Sequence, residues 1–262
     1  MTASAGRALF ARSCAKQYAG GAGISGIDLQ VEPGALTAIL GPNGSGKSTL
    51  IHGLVGLHGF DSGTVTINGH PHESAEAKAL LGFVPDELPI PLSLTGAELL
   101  RHTARLRGVA VSDFGAEMID SLDLGCHLNK FVADMSHGTK KKLQIVAAAA
   151  HAPMLLIMDE PFRGLDPHAV QTIRTIVDAL RSTGTAVLVA THDILAAEHW
   201  FDRVVILHDG VQVAEGRPVD LVREGGARDL EDYFLTATGL SRQQRTTDRF
   251  RPLILSGRNP AS

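Results

Sequence analysis

The nine residues GPNGSGKST, Gly41 to Thr49, set Gly41, Gly44 and Gly46 beside Lys47 and the hydroxyls of Ser48 and Thr49. Glycines at this spacing let backbone N–H groups converge on an anion, and a lysine one residue on neutralises phosphate oxygens. A hydroxyl directly after it is placed for Mg²⁺. Pro42, Asn43 and Ser45 complete the loop. The flanks fit the motif: the apolar run at 35–40 has strand character, and STLIHGLVGL has helical spacing of Leu and Val. The segment reads as a phosphate-binding loop opening a helix, the arrangement that holds ATP at a positive helix end.

A second group of polar residues lies far along the chain. LLIMDE, 155–160, is an apolar strand ending in two carboxylates, and ligands of open α/β sheets sit at the carboxyl ends of strands. Asp159 is then placed to hold Mg²⁺. Alternation along the strand predicts that Glu160 points to the opposite side, where it could orient the water attacking a γ-phosphate or accept its proton. Taken alone, the pair also reads as a charged strand-to-loop transition. TAVLVATHD brings Thr191, His192 and Asp193 to the same edge. His192 can donate to a γ-phosphate, and the cluster can equally cap a helix.

These residues need a scaffold, and the periodicity supplies one. Residues 8–40 and 64–84 read as strands of a β-rich layer, with turns such as Asn68-Gly69. From about Thr95 to Ala150 the spacing turns helical. Strand candidates at 154–158, 185–190 and 203–207 then alternate with helical stretches at 167–181 and 193–199, which implies a buried parallel sheet. Asp209-Gly210 reads as a hairpin turn and LEDYFLTATG as a short helix. The last residues, 241–262, read as a flexible tail.

Composition sets the outer limits. With 262 residues the chain can bury a sizeable core, and a net charge of −4 gives no basic field, so no nucleic-acid partner is expected. Cys14 and Cys126 make no disulfide framework and fit a reducing compartment. The N-terminus carries no signal-type apolar core, and the window 145–158 is broken by His151 and Pro153 short of a membrane span. The expected location is cytoplasmic.

The ordered set GPNGSGKST, MSHGTKKKL, LLIMDEP, GLDP and THD resembles the ATP-binding subunit of ATP-binding cassette (ABC) transporters, over roughly residues 8–238. The resemblance implies an α/β P-loop NTPase fold: a RecA-like core, an antiparallel β subdomain and an inserted α-helical subdomain at about 87–150, within one domain of residues 1–240. It implies a homodimer or heterodimer of such subunits with ATP and Mg²⁺ between them, driving an integral membrane permease on a separate chain. In the family a signature loop written LSGGQ meets the γ-phosphate held by the opposite subunit. Met135 to Thr139 stand there, with Ser136 and Gly138 matching and Met135, His137 and Thr139 departing. Ser136 also reads as the N-cap of the following helix. Tyr18 stands where the family stacks an aromatic ring on adenine, and Asp166 in the loop that crosses the dimer interface. Phe162-Arg163 replace a smaller pair, and Asp86 replaces a Gln that senses Mg²⁺ and water. Asp86 could bind Mg²⁺ through water or could weaken coupling.

Lys47, Glu160 and His192 are accordingly the expected catalytic residues, with Ser48, Asp159 and Asp86 on the metal. The forms SxGxKxK and FxGLDP resemble exporter subunits more than importers. The proline-rich stretch PDELPIPLSL, with Leu88, Ile90 and Leu92, is expected either to tuck against helices or to meet the permease. Two other readings stay open: a soluble family member acting on nucleic acid or the ribosome, and a module that holds ATP with little turnover.

Overall fold

A computed structural model describes residues 6–86, 90–109 and 112–240. In chain order the elements are β1 (Leu9–Gln17), β2 (Gly23–Val31), β3 (Leu36–Leu40), α1 (Lys47–Leu54), β4 (Ser62–Ile67), β5 (His70–Pro71), α2 (Ala75–Leu80) and β6 (Leu81–Val84). They continue with α3 (Gly96–Leu106), α4 (Asp113–Ser121), α5 (His137–Ala149), β7 (Leu155–Asp159), α6 (Pro167–Ser182) and β8 (Ala186–Thr191). The chain then forms α7 (Ile194–Trp200), β9 (Arg203–His208), β10 (Val211–Gly216), α8 (Pro218–Glu224) and α9 (Leu230–Ala237).

Every residue of β3, β7 and β8 is buried, so these apolar runs are covered on both faces, as parallel strands require. The sheet they form has the order β10-β9-β3-β8-β7-β6. β3 runs parallel to β8 and β9, and β7 parallel to β8 and β6, while β10 closes one edge antiparallel. Period-two alternation divides the side chains between two cores. Ile39, Leu155, Ile157 and Leu188 join α1 and the small antiparallel sheet β2-β1-β4-β5 on one face. Leu36, Leu40, Leu156, Met158 and Val187 join the helices on the other.

The three strands read at 154–158, 185–190 and 203–207 appear within one residue of those bounds, and the Asn68-Gly69 and Asp209-Gly210 turns carry positive φ at both positions. The stretch 64–84 differs from its reading. It holds β4 and β5, but Ala75–Leu80 forms α2 because Ser74 accepts from the Ala77 N–H and the run AEAKAL favours helix. β6 then leaves the antiparallel layer and pairs in parallel with β7. Helix α8 was not anticipated from the sequence, and the expected tail at 241–262 lies outside the described residues.

The turn of the β9–β10 hairpin joins the layers near the phosphate loop. The Gly210 N–H donates to the Ser45 carbonyl at 3.2 Å, and the Gly210 carbonyl accepts from the Ser25 N–H of β2 at 2.8 Å. Between β6 and β7 lie α3, α4 and α5, and α5 packs directly on β6. A Cβ at Gly82 of β6 would run into the Ala148 carbonyl of α5. Gly82→Ala should therefore lower stability by about 1–3 kcal/mol. The midpoint of chemical denaturation reads this, and an unchanged midpoint would mean that the α5–β6 contact yields freely.

Candidate functional site

The phosphate loop leaves β3 and turns into α1 with its backbone in the left-handed region at Gly44 and Gly46, at φ 82° and 100°. A side chain at Gly41 would collide with Ser45 and the Leu207 carbonyl. Lys47, the first residue of α1, folds back over the loop: its Nζ donates to the Gly41 carbonyl at 2.6 Å and the Pro42 carbonyl at 3.2 Å. Burial lowers its proton affinity, while the Glu160 and Asp159 charges raise it. The buried Ser45 hydroxyl has no hydrogen-bond partner among the described residues, a polar atom left over in the loop.

The loop forms one wall of a cleft of about 700 Å³. Asp159 at the end of β7, Glu160 just beyond it, His192 after β8, Asp86 after β6 and Tyr18 after β1 line the same cleft. Strand order explains the meeting: β6, β7, β8 and β3 are neighbours, and their carboxyl ends lie at one edge. Glu160 does not turn to the opposite side as strand alternation predicted. β7 ends at Asp159, and Glu160 adopts φ 44°, a strained conformation for a residue with a side chain, which brings both carboxylates to the cleft.

Two donors hold Glu160. His192 Nδ1 lies 2.9 Å from its Oε1, and the Thr191 hydroxyl donates to Oε2 at 3.4 Å. An ionised carboxylate only accepts, so Nδ1 carries the hydrogen and Nε2 donates only when the ring is doubly protonated. Thr191 also accepts from the Asp193 N–H, and Asp193 caps α7 by accepting from the Ala196 N–H, as the capping reading of this cluster expected. Burial pushes the Asp159 carboxyl above its ordinary 3.8; the Ser48 hydroxyl, which donates to it, pulls it down, and the Asp86 and Glu160 carboxylates push it further up.

Tyr18 is 43% exposed, and its ring meets His58 edge-on with centroids 6.1 Å apart. Ser136 and Gly138 lie at the start of α5, where Ser136 accepts from the Thr139 N–H, and Asp166 caps α6 by accepting from the Ala169 N–H. These three do not line the cleft of their own chain. Two cations beside Asp86 were not read as site residues from the sequence. Arg163 lines the cleft and donates to Asp86 Oδ2 at 2.9 Å. Lys141 is fully buried, donates to the Pro85 and Asp86 carbonyls, and stands 3.9 Å from Asp86 Oδ1. Its signal was present: Lys141 shares a helical face with Ile145 and Ala148.

A phosphate loop feeding a helix at the carboxyl edge of a parallel sheet, with carboxylates on the adjacent strand, defines a P-loop NTPase core. Residues 24–163, more than half of the chain, match the ABC transporter family, and the chain belongs to it. A shorter match, residues 132–198, is to an AAA domain described as a putative AbiEii toxin of a type IV toxin–antitoxin system. Nod factor export ATP-binding protein I of Rhizobium etli is 35% identical over 80% of this chain and 68% of its own length. Daunorubicin/doxorubicin resistance ATP-binding protein DrrA of Streptomyces peucetius is 34% identical over 86% of this chain and 69% of its own. A solved ATP-binding subunit of an ABC transporter superposes with a TM-score of 0.82 at 29% identity, over 88% of this chain and 99% of that one.

Because the folded chain holds the Asp159 proton more tightly than the unfolded chain, ionising it costs stability as pH rises from 3.8 through its higher folded-state pKa. Asp159→Asn removes that cost. The nucleotide-free variant should melt a few degrees higher than the unaltered chain at pH 7, with the gain shrinking as pH falls toward 3.8. Equal melting temperatures at pH 7 would contradict the cost assigned to ionising this buried carboxylate.

Proposed function

We propose that this chain is the ATP-hydrolysing subunit of a membrane exporter, working in pairs with ATP held between two subunits. The observation that carries the reading is the convergence of Lys47, Asp159 and Glu160 on one cleft beside the phosphate loop. Lys47 would exchange its carbonyl partners for β- and γ-phosphate oxygens. Glu160, fixed by His192 and Thr191, would orient the attacking water and accept its proton. An exposed face of Tyr18 would stack on adenine.

The donor set suits Mg²⁺. Ser48 and Asp159 offer hard oxygens already in contact, and the crowding of Asp86 and Glu160 against Asp159 is the kind that a dication relieves. No group of three or more His, Cys, Asp or Glu among the described residues could hold a metal. The ion would therefore share its shell with phosphate oxygens, and when bound it would offset charge on them. Ser136 and Gly138 at one helix start and Asp166 at another would close the cleft of a second copy or a related subunit, since a helix N-terminus attracts phosphate.

No helix among the described residues is long and apolar enough to cross a membrane. Attachment at the cytoplasmic face would come through a separate permease chain. Relatives named for Nod factor export and drug resistance support export over action on nucleic acid or the ribosome. Of the proline-rich stretch, Leu88 lies outside the described residues and Ile90 packs against the core, whereas Leu92 is 54% exposed. The Ala133 N–H donates to the Leu92 carbonyl, which ties Leu92 to the segment that carries Phe131, itself 53% exposed. This apolar pair is the surface offered to the permease.

Lys47→Ala should abolish nucleotide binding, whereas Glu160→Gln should retain it and lose at least about 10²-fold in steady-state hydrolysis. Near-normal turnover by Glu160→Gln would remove that residue from the chemistry. Replacing Leu92 and Phe131 together by Ser should leave the melting temperature of the purified chain unchanged and abolish co-purification with a detergent-extracted permease. Retained co-purification would exclude the pair from the docking surface.

A further inference from the structure

Two residues at which this chain departs from its family pattern meet in the fold. Asp86 and Arg163 are 77 positions apart in sequence, yet the Arg163 guanidinium donates to the Asp86 carboxylate at 2.9 Å inside the cleft. The neighbours of Arg163 fix the loop that carries it. The Phe162 ring meets Trp200 with centroids 5.7 Å apart, and Arg174 lies 5.8 Å above the Phe162 ring. On the other side Gly164 takes φ 75°, and a Cβ there would lie 3.6 Å from the His137 ring. Beneath Asp86, Lys141 holds the Pro85 and Asp86 carbonyls from inside the fold.

A carboxylate in a cleft that receives a polyanion works against binding. Asp86 adds its charge to those of Asp159 and Glu160 in the same cleft, and its influence reaches Asp159, whose proton it helps retain. At an effective dielectric near 20, one unit charge about 8 Å from a phosphate changes affinity by roughly ten-fold or more. We propose that Arg163 is the cleft-side counter-charge that makes Asp86 compatible with a bound triphosphate. Arg163 is suited to this because more than half of its side chain is exposed toward the cleft, whereas Lys141 is sealed beneath. Arg163 is thus a positioning residue that acts through Asp86. The proposal rests on the nucleotide-binding reading above.

The experiment is isothermal titration of the full chain with MgATP. Arg163→Gln should weaken binding at least about ten-fold, and Arg163→Lys, which keeps the charge, should recover most of it. Asp86→Asn alone should tighten binding, and the double variant Asp86→Asn with Arg163→Gln should return to within about three-fold of the unaltered chain. A double variant as weak as Arg163→Gln would overturn the proposal, since Arg163 would then act on the nucleotide directly or on the fold. So would unchanged binding by Arg163→Gln, or weaker binding by Asp86→Asn, which decides the matter even if Arg163→Gln fails to fold. If the unaltered chain binds no MgATP, the nucleotide reading itself falls and the pairing with it.

Discussion

The structure depends on one constraint: its central strands are apolar on both faces. β3, β7 and β8 have no exposed residue, so nothing that must carry charge or bind water can sit along their length. Polar chemistry is forced to the strand ends. There β3 leads into the phosphate loop, β7 ends on Asp159 with Glu160 just beyond, and β8 ends on Thr191 with His192 and Asp193 following. Three segments spread over residues 41–193 become one site because their strands must lie side by side to be buried. The strain at Glu160 follows from the same arrangement: the turn that ends β7 must keep its second carboxylate at the edge that the sheet provides.

Much of this was legible in the sequence. Glycines with a lysine at fixed spacing announce a phosphate loop because few other tasks need that set. Apolar runs ending in DE and THD announce buried strands with a polar edge. What the sequence concealed is instructive in physical terms. Strand alternation misplaced Glu160 because a positive φ at a non-glycine residue leaves no compositional trace. α2 was hidden within a strand-rich stretch because its six residues offer less than two turns of periodicity, and only Ser74 as a cap marks its start. Lys141 was hidden by its neighbours Lys140 and Lys142, since a triple lysine suggests a solvated face while only the middle one turns inward.

The departures from the family pattern could be enumerated from the sequence, but not related to one another. Asp86, His137, Phe162 and Arg163 are single substitutions along the chain and neighbours in the fold. Their proximity changes what each means. A carboxylate replacing an amide looks like damage to a site when considered alone. Paired with a guanidinium over a fixed loop, it belongs to a network that joins β6, the segment after β7 and the start of α5. The lining of the cleft and the packing of the helical segment therefore share side chains.

The hydrogen bonds of Gly210 have a kinetic side. By tying the Ser45 carbonyl to the hairpin turn, and the turn to Ser25 of the antiparallel sheet, they brace the phosphate loop against both. A loop fixed in this way surrenders its conformational entropy during folding rather than at the moment of encounter. A phosphate binding there would not have to wait for the loop to order.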